Sequence, residues 1–210
     1  EGVTRFDGVA VFKQHFANNG SDVHRLLLYG DDKKVYVHQM LKYTNQLHWL
    51  YELQFENKPI TLAYKTNDND AIILTDGNQM KIWQTNYTPY SVYNTPIITD
   101  MCMNEGVLYC CLKEPAFKLW YATDLNPEKV GNMNSYSGYI SLEDNLGNAN
   151  RIITFDENVY VIRDYGISKI TRIDKEFLVS EVYLSNTKIF GYTACVCGNV
   201  LMFMTKDGLY

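Results

Sequence analysis

One short pattern recurs five times along the chain: a polar turn, an apolar strand, a second tight turn and a further strand. In the clearest copy, the polar turn 156–158 precedes the apolar segment 159–162. In another copy, the turn 197–199 precedes the apolar segment 200–203. A unit repeated in this way is typical of radial or solenoid β architectures, in which each unit buries its apolar residues against its neighbours.

The two series of turns are rich in Asp, Gly, Asn and Pro, which tolerate tight-turn dihedrals. The first turns lie near Asn19, Asn69, Glu105, Glu157 and Gly198, and the second turns occupy residues 30–32, 75–77, 113–115, 164–166 and 206–208. Their spacing of about 45 residues matches one four-stranded blade. The sequence therefore predicts an all-β fold, a β-propeller of about five four-stranded blades that is either closed or incomplete. A two-sheet β-sandwich is the fallback.

The strands within each unit differ in pattern. Continuous apolar runs at 26–28 and 71–74 predict strands buried on both faces. In residues 80–83, Lys81 alternates with apolar neighbours and gives the period of two that is typical of a strand. A weaker fourth, outer strand is predicted at 47–53, 90–93 and 178–184. Together the units predict a single propeller domain over residues 1–210. The first residue is Glu1 rather than Met, which leaves open that the domain is a piece of a longer chain.

The longest irregular stretch covers residues 123–150 and contains several Gly, Asn and Asp residues. Loops longer than a tight turn are often functional. Aromatic side chains in such loops can stack on sugars or on partner proteins, although packing against the outer strand is the alternative role. The candidate binding residues are Tyr87, Tyr90, Tyr93, Tyr136 and Tyr139.

Composition excludes several classes of function. The net charge is −5 and no basic block occurs, which disfavours nucleic acid. No apolar run approaches the ~20 residues of a membrane span, so no membrane insertion is predicted. The five cysteines follow no regular framework, which predicts reduced thiols that pack as small buried hydrophobes. The four histidines lie far from them in sequence, so no metal site is predicted.

No catalytic motif stands out. The adjacent carboxylates Asp31-Asp32 and Glu143-Asp144 each lie in one turn, whereas a glycosidase needs two carboxyl groups facing each other across a cleft. No nucleophile elbow, phosphate loop or dinucleotide fingerprint occurs, so no cofactor is predicted. We therefore predict a protein that is not an enzyme. The alternative is a carbohydrate-active propeller enzyme with carboxylates gathered at the central channel, or a glycan-binding propeller.

Three segments carry a family resemblance: LWYATDLNP at 119–127, VYVIRDYGI at 159–167 and DGLY at 207–210. Together they resemble β-propeller-type proteins encoded by phages and prophages of low-GC Gram-positive bacteria, and the resemblance covers roughly residues 60–210. It implies a virion component near the tail or neck, assembled in the bacterial cytoplasm. The implied partners are other virion proteins or copies of the chain itself, with a host-surface glycan as a further partner. That family is not marked by catalytic residues.

Overall fold

The structure is a computed structural model that describes residues 3–16, 20–40, 46–65, 70–84, 89–126, 130, 136–142 and 144–210. The regular elements in these ranges are nineteen β-strands. Among the residues that the structure describes, no helix has the length and apolar character needed to cross a membrane. The prediction of an all-β fold is confirmed.

The chain divides into two compact units, Glu1–Tyr93 and Asn94–Tyr210. The first unit holds two four-stranded sheets, which we call sheet 1 and sheet 2. Sheet 1 contains β1 (Phe6–Phe16), β2 (Ser21–Gly30), β3 (Lys34–Met40) and β4 (Leu47–Gln54). Sheet 2 contains β5 (Ile60–Lys65), β6 (Asp70–Thr75), β7 (Met80–Trp83) and β8 (Tyr90–Val92).

The second unit holds sheets 3, 4 and 5. Sheet 3 contains β9 (Ile98–Asn104), β10 (Val107–Leu112), β11 (Lys118–Ala122) and β12 (Ser137–Ser141). Sheet 4 contains β13 (Ala149–Phe155), β14 (Asn158–Arg163), β15 (Gly166–Ile173) and β16 (Glu176–Leu184). Sheet 5 contains β17 (Ile189–Cys197), β18 (Val200–Thr205) and β19 (Gly208–Leu209). The assignment of residues 1–210 to a single domain stays a prediction.

Each sheet is an antiparallel meander in which strands pair in the order of the sequence. Four sheets have four strands, and sheet 5 has three within the described residues. The four-stranded antiparallel sheet is the blade of a β-propeller. The predicted outer strands at 47–53, 90–93 and 178–184 correspond to β4, β8 and β16.

The turns explain the regular connections. Glu105 and Gly106, between β9 and β10, have φ angles of 46° and 74°. Asp156 and Glu157, between β13 and β14, have φ angles of 46° and 58°. Two successive positive φ values define the hairpin turn whose twist matches that of the flanking strands. The predicted turns near Asn19 and Asn69 lie outside the described residues.

A carboxylate staple recurs at the second turn of three sheets. In each case an Asp after the second strand accepts a hydrogen bond from a main-chain N–H just before the first strand of that sheet. The pairs are Asp31 with Thr4 (3.1 Å), Asp76 with Glu56 (2.8 Å) and Asp164 with Asn148 (3.0 Å). The Thr4 hydroxyl also donates to Asp31, and these bonds lower the pKa of that carboxyl. These turn carboxylates therefore have a structural role.

The core lies between stacked sheets. In the first unit, Phe12 and Leu27 of sheet 1 pack in one cluster with Ile72 and Leu74 of sheet 2. Burying a side chain of this size contributes about 1.5–3 kcal/mol. In the second unit, one apolar cluster joins sheets 3 and 4, and another joins sheets 4 and 5.

Sheet 4 has both faces covered, and its second strand shows how. Val159 and Val161 of β14 belong to the cluster with sheet 3. Tyr160 and Ile162 pack in the cluster with sheet 5. Side chains alternate between the two faces of a strand, and in β14 the residues on both faces are apolar.

Two expectations need correction. The segment 71–74 is buried as predicted, but in the segment 26–28 only Leu27 is buried. Its neighbours Leu26 and Leu28 are half-buried, and they lie on the face of sheet 1 opposite the cluster with sheet 2. The stretch 123–150 is not all loop, since it contains β12. That strand was missed because Gly138 interrupts its pattern. A Cβ atom there would lie 2.8 Å from the Tyr121 hydroxyl, so the crossing aromatic ring requires glycine.

Candidate functional site

In the first unit, the structure places two of the predicted tyrosines at the outer strand of sheet 2. Tyr90 lies on β8 opposite Ile82 and is 47% exposed. Tyr93 follows that strand and is 76% exposed. Tyr87 lies outside the described residues. Tyr90 is a strand residue rather than a loop residue. It lies on β8, the outer strand of the meander, for which the sequence showed only a weak strand pattern.

In the second unit, Tyr139 lies on β12 opposite Trp120 and is 48% exposed. The expectation that it belongs to a loop is therefore wrong. Tyr136 is half-buried, and its carbonyl accepts hydrogen bonds from the N–H (2.7 Å) and hydroxyl (3.1 Å) of Thr123. Tyr136 thus closes the connection into β12. Tyr90, Tyr93 and Tyr139 present rings that can stack on a ligand.

Sequence reasoning missed several exposed aromatic residues, among them Trp49 and Tyr192. Trp49 on β4 is 53% exposed, and Tyr192 on β17 is 79% exposed. Tyr192 follows Gly191 in a stretch where the pairing of β17 with β18 shifts register between Phe190 and Cys195. A glycine inside a strand often marks such a bulge, so Gly191 was the available signal.

An open cleft of about 80 Å³ lies between sheets 1 and 2 in the first unit. Ala10, Leu27 and Leu74 supply apolar walls, and Lys58 and Tyr29 supply polar groups. A Cβ atom on Gly8 would lie 2.8 Å from Lys58 Cε, so the lysine side chain passes close over the Gly8 backbone. Sites for small organic ligands usually enclose about 300–1,000 Å³. The cleft is therefore the size of a few water molecules.

Two arginines are buried and held by protein groups. Arg25 is 2% exposed, its Nε donates to Gln14 (3.1 Å), and its guanidinium lies 4.3 Å from the ring centroid of Trp83. Arg163 is fully buried, and its guanidinium pairs with Asp144 at 2.8 Å. It also donates to the carbonyl oxygens of Leu142 (3.0 Å) and Gly147 (2.6 Å and 2.9 Å). Arg163 therefore anchors the connection that leads from sheet 3 to sheet 4.

Two described carboxyl groups, Asp100 and Asp22, have pKa values that are shifted in opposite directions. Burial raises the pKa of Asp100, which accepts a hydrogen bond from the Ile152 N–H (2.9 Å). Lys13 (2.8 Å) and His15 (2.7 Å) lower the pKa of Asp22 to about 2. Within the described ranges, no group of three or more His, Cys, Asp or Glu side chains could hold a metal.

The cysteines divide into two groups. Cys102, Cys110 and Cys111 are buried, as predicted, and burial raises the pKa of each thiol. Cys195 and Cys197 are exposed, so their predicted burial is wrong. They lie at the end of β17 beside a two-residue turn, on the face of sheet 5 that points away from sheet 4.

No model of a protein family matches the chain, and no curated protein sequence matches it either. Among solved structures, it is similar to Hsv2 of Kluyveromyces lactis with its complete loop 6CD, at a TM-score of 0.51 and 8% identity. That match covers 95% of this chain and 71% of the other. Hsv2 of Kluyveromyces marxianus gives a TM-score of 0.48 at 9% identity, covering 97% of this chain and 72% of the other. The SapL1 lectin in complex with alpha methyl fucoside gives 0.44 at 9% identity, covering 85% and 65%.

At such low identity, the likeness to Kluyveromyces lactis Hsv2 shows the fold alone. Hsv2 is a β-propeller, and the match extends over nearly all of this chain. Together with the five consecutive antiparallel meanders, it confirms the predicted fold class. The chain is a β-propeller protein.

Proposed function

We propose that this chain is a non-catalytic structural and binding β-propeller module, and that it serves as a tail or neck component of a phage virion. The observation that carries the proposal is the exposure of large apolar and aromatic side chains. Large apolar and aromatic residues are exposed on or beside the strands of several sheets, among them Trp49, Tyr93, Tyr139 and Tyr192. Surfaces of this kind are typical of contacts between proteins.

The charged residues support a structural role. Asp31, Asp76 and Asp164 staple their own sheets, and Asp144 pairs with the buried Arg163. An enzyme would instead direct such groups into one concave site that could take a substrate. The exposed side chains are therefore better suited to contacts with other proteins than to chemistry.

The assignment to a phage virion is supported by the resemblance of the segments 119–127, 159–167 and 207–210 to phage-encoded propellers. In this proposal the protein assembles in the bacterial cytoplasm and remains in the particle. Its partners are other virion proteins or further copies of the same chain. The blades supply a rigid frame, and the exposed strands supply the contacts.

Deletion of the gene from its phage or prophage tests the proposal. We expect normal lysis, together with particles that lack a tail or neck part or that fail to adsorb. A plasmid copy of the gene should restore infectious particles. Normal yields of infectious particles from the deletion strain would overturn the structural role.

Exposed Tyr93 and Tyr139 favour a second candidate, glycan binding, because sugar rings stack on aromatic faces. A glycan array tests it with the wild type and two substitutions at each tyrosine. Tyr→Ala should weaken binding by about two- to twelvefold, the equivalent of the ~0.5–1.5 kcal/mol of an aromatic contact. Tyr→Phe should retain binding because the ring remains. Equal binding by the Ala variants would refute a site at these residues, and turnover of an arrayed glycan would instead support the enzyme alternative.

A further inference from the structure

The hairpin formed by β17 and β18 brings three sulfur-bearing side chains together. Cys195 and Cys197 are two residues apart on β17, so their side chains project from the same face of that strand. Met202 on β18 lies opposite Cys195, and Val200 lies opposite Cys197. Met202 is therefore a direct neighbour of one cysteine and a diagonal neighbour of the other. All three side chains belong to one hairpin, so neither a second copy nor another sheet is needed to complete the cluster.

The hairpin holds these side chains in a fixed register. Residues 198 and 199 form the two-residue turn between β17 and β18, and Gly198 has a φ of +62° there. Two-residue turns set the register of the strands that they join. On the other face, Leu201 lies opposite Val196 and packs against the buried cluster shared with sheet 4. A slip of one residue would turn Leu201 out of that cluster, so the three sulfur-bearing side chains stay adjacent.

The two thiols of this hairpin remain separate. Cys195 and Cys197 are both free cysteines. Two residues of a strand separate their Cα atoms by about 6.6–6.8 Å, the outer limit of the ~4.4–6.8 Å that a disulfide spans. The pairing with β18 continues without a break from residue 195 to residue 197, which keeps the strand extended. Both thiols are therefore available to bind a common ligand.

We propose that Cys195, Cys197 and Met202 bind one Cu⁺ ion through two thiolates and one thioether. Soft sulfur ligands of these two kinds select Cu⁺ over harder metal ions. A structural Zn²⁺ site uses four Cys or His ligands, whereas no group of even three His, Cys, Asp or Glu side chains in the described ranges could hold a metal. Each thiol loses its proton when it becomes a ligand, so two protons leave for each ion bound.

This inference goes beyond the proposed function and does not rest on the virion role. The test is an anaerobic titration of the purified chain, with ascorbate keeping copper as Cu⁺. Bicinchoninate, a chelator whose Cu⁺ complex absorbs visible light, competes for the ion. We expect the wild type to withdraw one Cu⁺ per chain from the chelator. A wild type that takes up no copper would overturn the proposal.

A pair of methionine variants gives the sharpest result. Met202→Leu should weaken Cu⁺ binding by about tenfold or more, since even the loss of a group that supports a metal ligand costs about 10–100-fold. Met204→Leu is the matched control and should bind as the wild type does. Met204 lies on the same strand, but it is ~13 Å along that strand from Val200, the residue opposite Cys197. Equal binding by Met202→Leu and Met204→Leu would contradict the proposed ligand set.

Two further measurements address the cysteines. Cys195→Ser and Cys197→Ser should each weaken binding by more than ~100-fold, because a charged thiolate is lost. Both positions are exposed, so folding should persist, and Cys→Ala replaces any serine variant that loses its β-sheet circular dichroism. Wild-type binding by the double serine variant would assign the copper to other residues and overturn the proposal. X-ray absorption of the copper-loaded wild type should show only sulfur neighbours, and nitrogen or oxygen neighbours would contradict the site.

Discussion

Arg163 offers the strongest test of how the second unit is held together. It ends β14, is fully buried, and pairs with Asp144. Its guanidinium also donates to the carbonyl oxygens of Leu142 and Gly147 and to the Ser168 hydroxyl (3.3 Å). Arg163→Met keeps an unbranched side chain of similar length but removes every one of these donors.

The expected cost follows from the groups left behind. Each buried carbonyl oxygen that loses its donor costs about 1–3 kcal/mol. Breaking a buried ion pair by removing one partner costs about 3–5 kcal/mol. The Asp144 side chain is 37% exposed, so water can solvate its carboxylate after the change. Arg163→Met should therefore lower the free energy of unfolding of the second unit by about 3–4 kcal/mol, near the lower end of that range.

Hydrogen exchange measured by mass spectrometry can assign the loss to the correct unit. Peptides from residues 94–210 should exchange faster in Arg163→Met, whereas peptides from residues 1–93 should not change. Arg172→Met is the matched control, because the Arg172 Nε donates only to an exposed carbonyl, that of Asp174 (2.9 Å). Its effect should stay below about 0.5 kcal/mol. An effect of less than 1 kcal/mol for Arg163→Met would refute the anchoring role.

Three further predictions concern the second unit. Gly147 has a φ of +81°, and a Cβ there would lie 2.7 Å from Asp164 Cβ, so Gly147→Ala should cost about 2 kcal/mol in urea unfolding; no change would contradict this. Burial raises the pKa of Asp100, so the wild type should lose stability as pH rises from about 4 through that raised pKa. Asp100→Asn, which can still accept the Ile152 N–H, should lose less over that range and be more stable at pH 7; an identical pH profile would count against it. In the native protein, Ellman's reagent should titrate two of the five thiols, Cys195 and Cys197, and the other three should react only after unfolding.

Local patterns in the sequence predicted most of the strands. All six residues of β10 are buried, in line with its continuous apolar run. The hairpin turns at Glu105 and Glu157 were also predicted, because turn chemistry is local. By contrast, β12 was missed, since its Gly138 reflects a contact with Tyr121 that lies on a different strand.

Burial of individual side chains was harder to predict, because it depends on which sheets are covered. Cys195 and Cys197 have the composition of a buried strand, yet no described residue covers their face of sheet 5. Arg163 is the opposite case, because it ends an apolar strand and is fully buried. Its burial depends on a carboxylate 19 residues earlier in the sequence. Neither arrangement has a local signal.

We propose that this chain is a structural binding module of a virion. Quantitative mass spectrometry of purified particles from the phage that encodes it is the decisive test. We expect a fixed number of copies per particle, retained after washing in 1 M salt, because apolar contacts are not screened as charge pairs are. Peptides of the chain found only in the unassembled host fraction would contradict the claim.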